Sequence, residues 1–190
     1  MIVFRQRNRS FGSQFFVAQM RQMEICMIIR KGRHEDLAAL LEIYNYEVVN
    51  GTATFDIHPK TLKEWAVWFD LHNKGDNHPL YVGVEAGEVV GYATLSPYRP
   101  KEAYVSTVEL SIYVSPEHRG HGVATELMEH IIGVARDDEE THMIVSVITA
   151  GNEASTELHR KFGFTHSGTI PEVGVKFGRK IGIDTYYLMV

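Results

Sequence analysis

Between Val114 and Met128 the chain reads V-S-P-E-H-R-G-H-G-V-A-T-E-L-M. An alternating apolar segment ends there, a glycine-rich turn follows, and a helical pattern begins. Gly120 and Gly122 let the backbone turn tightly and remove Cβ obstruction, so several N–H groups can converge on one anion at the positive end of the helix dipole. Arg119 adds a fixed charge beside them. The combination suits a pyrophosphate. A P-loop would need Gly-Lys-Ser/Thr after its spacer, and none is present. A dinucleotide fingerprint would need a third glycine where Thr125 stands, and would follow the first strand of a βαβ unit, whereas this turn follows the fourth strand-like segment. On the two glycines alone, an ordinary strand-to-helix turn remains the alternative.

The rest of the pattern fixes what surrounds this turn. Met27 to Arg30 reads as a short strand. Glu35 to Tyr46 places Leu37, Leu40, Leu41 and Tyr44 at helical spacing, and residues 47–58 read as a loop. Thr61 and Glu64 form a capping box that opens a helix through Trp65, Trp68 and Phe69. Leu80 to Glu85 and Val89 to Leu95 make a hairpin about Ala86-Gly87, and Ser96 to Tyr104 is a loop. In the strand Thr107 to Val114, Val108, Leu110, Ile112 and Val114 share one face and Glu109, Ser111 and Tyr113 the other. Gly122 to Arg136 is a helix with Leu127, Ile131 and Val134 inward. His142 to Thr149 is a strand, and Asn152 to Phe162 a helix stopped by Gly163. Phe164 to Ile170 and Tyr186 to Val190 close the chain as strands. The order β-α-α-β-β-β-α-β-α-β-β implies a mixed sheet with one parallel pair near its middle.

Composition narrows the setting. A length of 190 residues suits one domain. No apolar run approaches the roughly 20 residues that cross a bilayer, so no membrane span is expected. The net charge of -5 argues against a nucleic-acid binder. The lone Cys26 can make no internal disulfide, which fits a reducing, cytoplasmic setting. Residues 1–26 hold Arg5, Arg7, Arg9 and Arg21 against one acid, Glu24, and show no clear period. They read as a leader, disordered or from a misassigned start, with an organelle presequence as the alternative. The domain then runs over 27–190. His118 and His121 lie in the anion turn with no third ligand, so no metal is expected.

Arg119-x-x-Gly122-x-Ala124 resembles the Gln/Arg-x-x-Gly-x-Gly/Ala signature of the GNAT superfamily of acetyl-CoA-dependent N-acetyltransferases, and the similarity extends from about Ile28 to Leu188. Within it the chain is similar to the phosphinothricin and methionine sulfoximine acetyltransferase group. That closer likeness rests on T-A-T-F (52–55), K-T-L-K-E-W (60–65), A-Y-V-S-T-V-E-L-S-I-Y-V (103–114), N-E-A-S-T-E-L-H-R-K-F-G-F (152–164) and V-K-F-G-R-K (175–180). The resemblance implies the α/β (α+β) GNAT fold, a mixed central sheet of about six or seven strands flanked by about four helices. It implies acetyl-CoA as cosubstrate, a small-molecule amine as acceptor, and a homodimer.

The same resemblance assigns residues. Glu109 is the expected base on the amine, through a water, and partial burial would raise its pKa toward that of the amine. His159 stands where the family usually has tyrosine; it either protonates the departing sulfur or positions ligand, with Tyr113 and Tyr104 as other possible donors. Ile112, Tyr113 and Val114 should hold pantetheine, and the backbone of Ile112 and Val114 the thioester oxygen. Arg119, Gly120, His121, Gly122, Val123 and Ala124 should hold the pyrophosphate, with Asn152 and Ser155 on the pantetheine arm. Phe55, Arg99 and Tyr104 resemble substrate contacts, as does Lys176 in a C-terminal loop. The implied activity is acetyl transfer to the amino group of a small amino acid or an analogue such as phosphinothricin, methionine sulfoximine or methionine sulfone, by direct attack in a ternary complex. The alternatives are another amine (a peptide N-terminus, a polyamine, an aminoglycoside) or a non-catalytic CoA-binding module.

Overall fold

The structure, a computed structural model, describes residues 27–74 and 77–190. The expectations for residues 1–26, Cys26 included, lie outside the described residues. The regular elements are β1 (Ile28–Lys31), α1 (Leu37–Asn50), α2 (Leu62–Phe69), β2 (Leu80–Glu85), β3 (Glu88–Pro97), β4 (Thr107–Val114), α3 (Val123–Asp137), β5 (Met143–Thr149), α4 (Glu153–Lys161), β6 (Thr165–Lys176) and β7 (Arg179–Met189). The strands form one 7-stranded sheet in the order β1-β2-β3-β4-β5-β7-β6. Only β4 and β5 run parallel; every other neighbouring pair is antiparallel. This is the mixed α+β architecture that the strand order implies, with its parallel pair at the centre.

Each face of the sheet carries its own core. On one, Leu127, Met128, Ile131, Ile132 and Ala135 of α3 pack on Val108 and Leu110 of β4 and Ile144 and Ile148 of β5. On the other, Leu37, Leu40 and Ile43 of α1 and Trp65 and Phe69 of α2 pack on Leu80, Val82 and Tyr92. The alternation along β4 therefore decides which side chains meet which layer. Val108 and Leu110 go to the α3 side, and Tyr113 packs against the α1–α2 side. The capping box at α2 forms as the sequence predicts: the Thr61 hydroxyl accepts from Glu64 N–H at 3.3 Å, and the Glu64 carboxylate accepts from Thr61 N–H at 2.8 Å.

Several expectations need correction. In α3, Val134 is only half-buried, and Met128, Ile132 and Ala135 complete the inward stripe. Helix α1 does not stop at Tyr46 but runs to Asn50, because nothing breaks it before Gly51; Glu47 is therefore helical and buried, not part of a loop. The last two strands are far longer than their apolar segments. Phe177 (φ 52°) and Gly178 (φ 71°) form a two-residue hairpin turn that pairs Lys176 with Arg179. Lys176 is thus the last residue of a strand and not part of a C-terminal loop. Pro171 hid this strand, since proline reads as a break; β6 is an edge strand, and a bulge between Ile170 and Gly174 accommodates it.

Candidate active site

The β4–β5 ladder holds only Thr107↔Met143, Val108↔Ile144 and Glu109↔Val145. Both strands continue, to Val114 and Thr149, but they part after Glu109. A cavity of about 590 Å³ opens between them. Its wall includes Ile112, Tyr113, Val114, Arg119, Gly120, Gly122, Val123, Ala124, Asn152, Ser155 and His159. Of the residues expected to hold the cosubstrate, His121 alone is missing from this wall; it is exposed.

The turn has the geometry the sequence asks for. Gly120 sits at φ +78° and Gly122 at φ +91°, and a Cβ on either would meet nothing within 4 Å. The left-handed backbone, not crowding, demands glycine there. The Gly122 carbonyl accepts from Thr125 N–H (2.8 Å) and Glu126 N–H (3.1 Å). The N–H groups of Val123 and Ala124, in the first turn of α3, precede any intrahelical acceptor and are available to an anion. The Arg119 guanidinium donates to Val114 O at 3.2 Å and pairs with the buried Glu47 carboxylate of α1, so the turn is braced against that helix. Asn152 caps α4, its amide oxygen accepting from Ser155 N–H at 3.2 Å, a bond that does not use its NH₂. The cavity's size, its glycine-lined N–H cluster and the amide of Asn152 fit a pantetheine–pyrophosphate chain.

A second cavity, about 650 Å³, lies on the α1–α2 side. Tyr44, Phe55, Trp65, Trp68, Tyr92 and Tyr113 wall it. Trp65 stacks between Tyr44 (4.4 Å) and Trp68 (4.2 Å), and Tyr92 on Tyr113 (5.4 Å). Glu109 lines this cavity and not the first. Burial pushes its carboxyl above the ordinary range, and the nearby Arg99 charge opposes that only in part. The two cavities share Ala53, Ser111, Tyr113, Val147 and Thr149, and therefore meet where β4 and β5 separate.

The strap of residues 51–56 supplies Ala53 to both cavities and Thr54, Phe55 and Asp56 to the second. Thr149 Oγ1 holds it by donating to Thr52 O. Lys176, only 3% exposed, donates Nζ–H to Glu47 O (3.1 Å) and Thr54 O (2.8 Å). Lys176 lines neither cavity, and so stands behind the strap, not among the wall groups. Phe55, 37% exposed, does reach the second cavity, packed over Gly174, where a Cβ would come within 2.5 Å of its ring.

The other expected contacts separate. Arg99 is exposed, its guanidinium 5.0 Å from the Tyr98 ring, and lines neither cavity. Tyr104 stacks edge-on against Tyr98 at 5.7 Å and also lies outside both. His159 is 6% exposed and packs on Phe164. Its Nδ1–H donates to Ser155 O at 2.7 Å, which leaves Nε2 as the acceptor nitrogen, buried and without a hydrogen-bond partner. Burial holds its pKa below the ordinary value, outweighing the Ser155 bond. A neutral imidazole in that tautomer has no proton to give at Nε2. Tyr113 borders both cavities, and burial pushes its hydroxyl pKa far up, so the phenol stays protonated. Helical spacing puts Tyr44, Trp65 and Trp68 on helices without marking them as site residues, and no local pattern marks Asp56, Tyr92 or Ser96, which share the same cavity wall. No metal-ligating cluster of three His, Cys, Asp or Glu occurs among the described residues.

The model of the acetyltransferase (GNAT) family matches residues 38–164. The chain belongs to this family. It is an N-acetyltransferase. Phosphinothricin N-acetyltransferase of Streptomyces coelicolor is 41% identical over 160 residues, covering 83% of this chain and 93% of the relative. The L-methionine sulfoximine/L-methionine sulfone acetyltransferase of Pseudomonas paraeruginosa is 41% identical over 152 residues, covering 80% and 87%. The crystal structure of a GNAT superfamily phosphinothricin acetyltransferase from Sinorhizobium meliloti in complex with acetyl-CoA superposes with a TM-score of 0.81 at 32% identity, covering 86% of this chain and 88% of that one. Among the described residues no helix is long and apolar enough to cross a membrane.

Proposed function

We propose that this enzyme moves acetyl from acetyl-CoA to the α-amino group of a small amino acid or analogue, of the phosphinothricin, methionine sulfoximine or methionine sulfone type. The observation that carries this reading is the pair of cavities that meet where β4 and β5 part, with Glu109 on the acceptor side of the junction. The first cavity holds acetyl-CoA, its pyrophosphate on the N–H groups around Gly120 and Gly122. The acceptor amine enters the second. Glu109 takes a proton from the ammonium, and its raised pKa narrows the gap to the amine. The amine then attacks in a ternary complex, without an acyl-enzyme, and alignment of the two cavities supplies much of the rate. Backbone groups of Ile112 and Val114 face the developing charge on the thioester oxygen. The departing CoA thiolate takes its proton from solvent at the cavity mouth, since burial makes the Tyr113 hydroxyl hold its own proton too tightly to act as the acid; His159 orders Ser155 beside the pantetheine arm. Arg99 stands at the rim as partner for the acceptor carboxylate. The reading includes a homodimer, for which β6 and the turn after it offer an exposed edge with Ile170, Val173, Val175 and Phe177 uncovered.

The test is CoA thiol release with a panel of amines. Sulfoximine-type analogues should turn over, and Glu109→Gln should reduce turnover about 10²- to 10⁴-fold, the usual range for a general base. A second reading, a cationic acceptor such as a polyamine, is favoured by the carboxylates Asp56, Glu64 and Glu109 on the second cavity's wall. Turnover of polyamines alone would establish it and remove the amino-acid reading.

A further inference from the structure

The acceptor cavity carries a second oxygen beside Glu109. Ser96 of β3 is the direct cross-strand partner of Glu109 on β4. The side chains of such a pair share one face of the sheet, with Cβ atoms roughly 4.5–5.5 Å apart. Both residues are half-buried, and both line the cavity.

His72, just past the end of α2, stands behind Ser96. It is buried, and its ring packs on Trp68 with centroids 4.6 Å apart. Its Nδ1 lies 2.9 Å from Trp68 O and its Nε2 3.0 Å from Ser96 Oγ. A carbonyl oxygen only accepts, so Nδ1 carries the hydrogen, and Nε2 of the neutral ring is the acceptor. The Ser96 hydroxyl therefore donates to Nε2. His72 lines neither cavity, so this hydrogen is directed out of the acceptor cavity. What Ser96 offers to a ligand is its remaining lone-pair density.

That polarity matters for an amine. An ammonium brings three N–H donors. Once Glu109 has taken one proton, the amine keeps two N–H bonds and a lone pair, and that pair must attack the thioester carbon. An oxygen that only accepts can hold one of the two N–H bonds and leave the lone pair open. A serine with its hydrogen free would donate it to the lone pair and mask the nucleophile. We infer that Ser96 binds the amino group of the acceptor, and that His72 is the positioning residue that makes Ser96 an acceptor only. The inference rests on the reading of Glu109 as the base with the amine in this cavity.

The experiment is a double-mutant cycle on kcat and on both KM values, with methionine sulfone as acceptor. Ser96→Ala should lower kcat/KM for methionine sulfone by about tenfold, the loss of one hydrogen bond to the amine, and leave the KM for acetyl-CoA unchanged. His72→Asn, which can keep an N–H for Trp68 O, and His72→Phe, which keeps the volume of the ring, both remove the acceptor from Ser96. Each should lower kcat at least as far as Ser96→Ala does, because the freed hydroxyl masks the lone pair. In the Ser96→Ala background the same His72 substitutions should cost less than about twofold, since no hydroxyl remains to be oriented. His72→Gln, whose amide oxygen can stand in for Nε2, should recover most of kcat. A His72 loss that persists undiminished in the Ser96→Ala background marks a purely structural role and overturns the inference, as do unchanged kinetics in Ser96→Ala; both leave Glu109 standing as the base. No turnover of methionine sulfone by the unaltered enzyme, or full activity in Glu109→Gln, overturns that reading and the inference together.

Discussion

The two cavities meet at a shared edge but are built from different materials. The first is organised by backbone features: two strands that part, a turn with two left-handed glycines, and the open ends of α3 and α4. The second is made of side chains from α1, α2, the 51–56 strap, β3 and β4. Backbone sites suit a cosubstrate whose phosphates and amide arm never change. Side-chain sites suit an acceptor that can change by substitution without disturbing the fold. Lys176, Glu47 and Thr149 join the two, because the strap they hold borders both.

This contrast can be broken or sharpened by substitution. The largest separation is expected from Gly122→Val. A β-branched residue at φ +91° distorts the turn, so KM for acetyl-CoA should rise by at least roughly tenfold, with the acceptor KM little changed. If both constants rose equally in steady-state assays, the cavities would not be separable in this way. Lys176→Met should act on both cavities. It leaves the carbonyls of Glu47 and Thr54 without their buried donor, a loss of about 1–3 kcal/mol, seen as a lower Tm and as higher KM values for both substrates. An unchanged Tm would show that the strap is held by other contacts. Phe55→Ala should touch the acceptor alone, raising its KM several-fold without affecting that of acetyl-CoA. Arg99→Ala should have the smallest effect on kcat, while raising the acceptor KM and shifting the pH profile. If Glu109 is the base, as proposed, it acts deprotonated, and kcat/KM should fall as pH drops through its raised pKa. Removing the Arg99 charge that opposes the rise should move this acid limb to still higher pH. Movement to lower pH would show that Arg99 does not act on Glu109.

The same division explains what the sequence discloses. The first cavity is legible because backbone sites leave local marks: Gly120 and Gly122 after a strand, Arg119 beside them, Asn152 at a helix start. The alternation along β4 likewise puts Glu109 opposite Val108 and Leu110 before any coordinates are known. The second cavity leaves no local mark. Tyr44, Trp65 and Trp68 follow helical spacing, which reads the same for a residue in a core and for one with a face on a cavity. Lys176 is the clearest misplacement. A lysine near Gly174 and Gly178 reads as a surface loop, and only pairing with β7 through the Phe177-Gly178 turn shows that it is buried. His159 is placed on its helix by the sequence, but the direction of its N–H bond, which bears on whether it can act as an acid, depends on where the Ser155 carbonyl falls.

The central claim is that acetyl passes directly between the two cavities with both substrates bound. Initial-velocity measurements, varying acetyl-CoA at several fixed concentrations of methionine sulfone, test it most directly. The account predicts reciprocal plots that intersect, as a ternary complex requires. Parallel lines, together with acetyl retained on the enzyme after acetyl-CoA alone, would reveal an acyl-enzyme and contradict it.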